Sequence, residues 1–113
     1  MSVHKQMAAG RWFEMTLMEQ LANVGCDVSL TISWKKKEDL ELSQQALARA
    51  LELLDLTIAD PKYKNTGTLK ELVTIREALV DYFTGANEYG SSDSLWENYF
   101  YRFNYAAALQ QGK

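Results

Sequence analysis

The sequence predicts an all-α fold, a four-helix up-and-down antiparallel bundle preceded by an N-terminal arm. Three observations carry that reading. Apolar residues recur with a period near 3.6 in four separate segments, and no stretch alternates with period 2 long enough for a strand. Three of the segments open on a T/S-x-x-E pattern, the capping box, which satisfies free N–H groups in a first helical turn. The links between segments are short, which favours antiparallel neighbours. The arm is assigned to residues 1–15 and the bundle to residues 16–113.

The first segment runs from about Thr16 to Trp34, with Thr16 and Glu19 as its capping box. Leu17, Leu21, Val24, Val28 and Ile32 share one face, while Glu19, Cys26 and Leu30 point elsewhere. Gly25 lies beside this stripe, where a missing side chain admits a close neighbour. Lys35, Lys36 and Lys37 end the segment, cations being favourable at the negative end of a helix dipole.

The second segment runs from about Asp39 to Ala59. Leu40, Leu47, Leu51, Leu54 and Ile58 form its main stripe, and Leu42, Ala46, Leu53 and Leu56 a second one beside it. The Asp60–Pro61 pair stops it, because proline disfavours helix in the residue before it.

After the loop PKYKNTG, Thr68 and Glu71 give the next capping box. The third segment spans about Leu69 to Thr84, with Leu69, Leu72, Val73, Leu79, Val80 and Phe83 on one side; Gly85 closes it. The turn-rich GANEYGSSD leads to Ser94 and Glu97, with Asp93 as an alternative cap. The fourth segment continues to about Gln110, with Trp96, Tyr99, Phe100, Phe103 and Ala107 facing inward. Up-and-down order then sets the Lys35–Lys37 turn beside the Gly85–Asp93 loop. The Pro61–Gly67 loop falls at the other end, with both termini.

A chain of 113 residues with 47% hydrophobic residues is one domain able to bury a core without metals or disulfides. The net charge of −3 argues against nucleic acid as the partner, since such proteins carry a basic excess. With its single cysteine, Cys26, the chain makes no internal disulfide. No apolar run approaches the roughly 20 residues that span a bilayer, and MSVHKQMAAGRWFEM holds no signal-peptide core. Together these features point to a cytoplasmic protein with no membrane association.

Neither metal nor cofactor is expected. Di-iron bundles use Glu-x-x-His pairs, and the only histidine, His4, sits in the arm. Cys26 has no histidine near it in sequence and reads as an inert thiol. Lys35–Lys37 are separated by the predicted fold from Lys62, Lys64 and Lys70, so the basic charge is divided. Arg76 stands out, because a helical wheel sets it in the middle of the third stripe. It is either one half of a structural ion pair or an anion contact, with Asp27 and Asp55 as the carboxylates within reach.

Tyr101, Tyr105 and Ala108 form a second stripe on the far side of the fourth segment. With Leu42, Leu53 and Leu56 they make surplus apolar surface, the mark of an interface. The other readings are that the arm covers them, using Trp12, Phe13 and Met15, or that a broad bundle face buries them by tighter packing.

The stretches ALARALELLDLTIADPK, LKELVTIREALVDYFTGANEY and LWENYFYRFNYAA resemble a small family of bacterial helical-bundle proteins with no assigned activity. The resemblance implies a helical bundle over nearly the whole chain after Thr16. More distantly, the layout is similar to HEPN-type bundles, which accompany nucleotidyltransferases or act as ribonucleases. Those ribonucleases carry an arginine followed a few residues later by histidine. Here Arg76 is followed by Glu77, Ala78, Leu79, Val80 and Asp81. The function expected is therefore non-catalytic: a module that binds a protein partner or itself, as a homodimer. The alternative is a divergent HEPN-like RNA-processing or nucleotidyltransferase-associated module.

Overall fold

In the computed structural model, residues 10–111 are described, with side chains to residue 109. His4 and most of the arm lie outside the described residues. Four long helices form: α1 (Leu17–Lys36), α2 (Leu40–Ile58), α3 (Gly67–Thr84) and α4 (Asp93–Gln111). A 3-10 turn, Pro61–Tyr63, follows α2. There is no strand among the described residues. No helix among them is long and apolar enough to cross a membrane.

The helix starts follow from local chemistry. Thr16 and Glu19 form the expected capping box, each side chain taking the other residue's backbone N–H. Asp39 caps α2 by accepting from Leu42 N. The next two starts lie upstream of the expected ones. Thr66, rather than Thr68, caps α3 by accepting from Leu69 N, and Ser92 Oγ accepts from Leu95 N at the head of α4.

α1 is the central helix, packing most extensively against α2 on one side and α4 on the other. Where α1 meets α4 the backbones come close because Gly25 has no side chain. A Cβ built there would stand 2.7 Å from Phe100 Cβ. α3 completes the bundle by burying Leu72, Ile75, Ala78 and Leu79 in the shared core.

The antiparallel order can be read from contacts at the two ends. At one end, Lys35 Nζ at the end of α1 donates to Tyr82 Oη at 3.1 Å and to Asp93 Oδ1 at 3.0 Å. Tyr82 Oη, from the end of α3, donates to the same Asp93 oxygen at 2.6 Å. Those bonds set the Lys35–Lys37 turn beside the start of α4, as expected. At the other end, Gln20 near the start of α1 meets Asp60 and Tyr63, just beyond α2.

Candidate functional site

On α3 the actual inward face is centred on Leu72, Ile75 and Leu79. Val73, expected inside, is 40% exposed. That rotation moves Arg76 from the middle of the stripe to its edge. There it forms a two-pronged ion pair with Asp55: Nε donates to Oδ1 at 2.7 Å and Nη2 to Oδ2 at 3.3 Å. Both side chains reach solvent, so this is a surface pair joining α2 to α3 rather than a buried charge. Asp27 is not part of it. Asp27 pairs instead with Arg49 at 3.4 Å, tying α1 to α2.

The expected interaction surface divides. Leu53 and Leu56 are 4% and 9% exposed and belong to the core, and Leu42 is half-buried. The second stripe of α2 is thus core lining, not surplus surface. α2 sits against both α1 and α3, so it needs two apolar faces. Leu40, assigned to its main stripe, lies 65% exposed in the first turn.

Tyr101 and Tyr105 are on the surface, at 67% and 59% exposed, and Leu109 continues their line at 55%. The described part of the arm does not reach them. Residues 10–14 form a helical turn just ahead of α1, where Trp12 is buried against Thr57 and Gln20; residues 1–9 lie outside the described residues.

Trp12 belongs to a buried polar cluster that sequence reasoning did not anticipate. Its Nε1 donates to Thr57 Oγ1 at 3.0 Å, and its carbonyl accepts from Gln20 Nε2 at 2.8 Å. Gln20, fully buried, also donates to Asp60 Oδ2 at 2.9 Å and accepts from Tyr63 Oη at 2.6 Å. Lys62 Nζ then bridges Asp60 Oδ2 at 2.6 Å and the Phe13 carbonyl at 2.9 Å. The position of Gln20 was a usable signal. It lies three residues after Leu17 and four before Val24, inside the stripe of α1.

The electrostatics are consistent with a satisfied cluster. Burial pushes the Asp60 carboxyl up. Hydrogen bonds from Lys62 and Gln20, with the Lys62 charge, outweigh it and hold the pKa below the ordinary 3.8. Burial, and then the Asp60 charge, push Tyr63 up to about 12. At the far end burial likewise opposes ionisation of Asp93, but the bonds from Tyr82 and Lys35 leave its pKa lowered.

Two grooves open between the helices. Between α1, α3 and α4 a groove of about 410 Å³ opens over Leu17, Met18, Leu21, Leu72 and Phe103. Its rims carry Thr68 and Glu71 on α3 and Arg102 on α4. Between α1 and α4 a smaller one, about 220 Å³, is bordered by Asn23 and Cys26 on one side and by Asn104 and Ala108 on the other. Among the described residues no three His, Cys, Asp or Glu side chains stand where they could hold a metal ion. Comparison with family models, curated proteins and solved structures finds no match to the chain.

Proposed function

We propose that the protein is a non-catalytic, self-associating helical module whose contact surface is the outer face of α4. The observation that supports it is the exposed line Tyr101, Tyr105 and Leu109, three large side chains at i, i+4 and i+8, each more than half exposed. Large side chains left together in water mark contact surfaces. The line is nearly symmetric about Tyr105. An antiparallel copy of α4 brings Tyr105 onto Tyr105 and Tyr101 onto Leu109, the self-complementary pattern of a twofold dimer.

Charge favours a second copy over a charged partner. From Asn98 to Leu109 the only ionisable cation or acid is Arg102. It lies over the Tyr99 and Phe103 rings, on the α3 side of the helix. A stable interface needs about 1,000 Å² in total, so the contact extends onto the α1 flank around Cys26 and Asn23.

Light scattering across a dilution series tests the reading. The wild type is expected to shift from dimer toward monomer on dilution. A Tyr101→Glu, Tyr105→Glu variant should be monomeric throughout, with unchanged helicity. A wild type that stays monomeric at the highest attainable concentration overturns the proposal.

A further inference from the structure

The geometry points to a second site: we propose that the groove between α1, α3 and α4 binds a small amphipathic carboxylate, an apolar chain ending in one anionic head. This does not depend on self-association through Tyr101 and Tyr105, neither of which lines the groove.

Size comes first. Ligand pockets run from roughly 300 to 1,000 Å³ and lie between the helices of bundles. The groove, at about 410 Å³, is within that range. At about 30 Å³ per water-sized unit it takes roughly a dozen non-hydrogen atoms, the size of decanoate. The floor is apolar, and Leu17 and Met18 are left half-buried, so an alkyl chain would remove wetted apolar surface there.

The head is selected by the rims. The Arg102 guanidinium carbon lies 4.9 Å from the Tyr99 centroid and 5.4 Å from that of Phe103. Among the described residues it forms no ion pair. A guanidinium held over two rings and without an ion-pair partner among the described residues has a charge, and donors suited to two-pronged bonding, to offer a carboxylate. On the opposite rim, Glu71 Oε2 accepts from Tyr99 Oη at 3.1 Å. The Glu71 charge repels an anion from the α3 side and so directs the head toward Arg102. A cationic amphipath would be drawn to the other rim and would face Arg102 across the mouth.

Titration of the full chain with decanoate, kept below its micelle concentration, tests this. Decanol serves as the uncharged comparison, and methyl and aromatic NMR shifts locate the ligand. Decanoate should bind saturably, with shifts confined to Leu17, Met18, Leu21, Leu72 and Phe103. Arg102→Met keeps the apolar stem over the rings and should weaken decanoate about tenfold while leaving decanol unchanged. Glu71→Gln should tighten decanoate and not decanol. Thermal unfolding and helicity of each variant, with Arg102→Gln as a second replacement, show that the bundle is intact. Absence of saturable binding, equal affinity for decanol and decanoate in the wild type, or shifts centred on Tyr101 and Tyr105 overturns the proposal.

Discussion

Gly25 shows how much can rest on one missing side chain. Its place beside the α1 stripe was visible in the sequence, and the close neighbour proves to be Phe100 of α4. Alanine would improve the intrinsic helix propensity of α1 by up to about 1 kcal/mol. Its methyl would also meet Phe100 Cβ at 2.7 Å, and overpacking of this kind costs roughly 1–3 kcal/mol. The second effect is the larger, so Gly25→Ala should lower the urea midpoint and not raise it.

The Gln20 cluster makes stability pH-dependent at both extremes. Asp60 has a lowered folded pKa, so its contribution is present above the ordinary 3.8 and is lost as pH falls through the folded value. Asp93 acts in the same direction. Tyr63 is raised from 10.0 to about 12, so its contribution is present below 10.0 and is lost as pH rises toward 12. Tyr99, pushed up by burial and by Glu71, adds to that alkaline loss. Urea midpoints should therefore fall below about pH 4 and above pH 10.0. Tyr63→Phe should be less stable at neutral pH, because Gln20 Oε1 loses its donor, and should show a shallower alkaline limb.

At the scale of elements, the helices themselves were legible because two signals coincide, apolar period and caps. The rotation of a helix about its axis was less so. In α3 the run Leu72, Val73, Ile75, Leu79, Val80 fits two neighbouring stripes, one centred on Arg76 and one on Ile75. Packing chose the second: Ile75 is 7% exposed and Val73 40%. Arg76 thereby reaches Asp55 at the helix edge and avoids the desolvation a central position would impose. In α2 the two stripes were both visible. Burial of the second stripe by a broad bundle face was one of the readings the sequence left open; the structure selects it, because α2 has a neighbour on each side.

The start of α3 offers a test at this scale. Thr66 and Thr68 both precede apolar residues, and only Thr68 completes a T-x-x-E pattern. In the structure Thr66 accepts from Leu69 N, while Glu71 is engaged by Tyr99 instead of reaching back to a cap. Thr66→Ala should cost about 0.5–2 kcal/mol. Thr68→Ala should change stability by less than about 0.5 kcal/mol. Thermal unfolding of the two variants separates the sequence pattern from the observed cap.

For the whole molecule, the unexpected part is how the arm is used. Trp12 and Phe13 were visible as apolar residues ahead of the bundle, and the exposed α4 tyrosines looked like the surface for them to cover. In the structure Trp12 is used elsewhere, against Thr57 and Gln20. Only Met15 and Thr16 separate residues 10–14 from the first turn of α1, so Trp12 falls at the Pro61–Tyr63 end of the bundle. There it joins the core at 3% exposed and closes the polar cluster. Trp12 thus has the task of finishing the core at the end where α1 begins and α2 ends. Two substitutions divide that task into its parts. Trp12→Phe keeps most of the apolar contact but removes the donor to Thr57, whose hydroxyl still donates to Leu53 O, so about 1 kcal/mol should be lost. Trp12→Ala also opens a cavity between α1 and α2, and buried tryptophans replaced in this way cost roughly 3–5 kcal/mol. In a domain of this size each kcal/mol lowers the melting temperature by about 4 °C, so calorimetry should resolve both steps. Because Trp12 is engaged with Thr57 and Gln20 while Tyr101 and Tyr105 stand exposed, neither variant should change the wetting of the α4 tyrosines in its folded state. Increased tyrosine exposure in folded Trp12→Phe would show that the arm covers them after all.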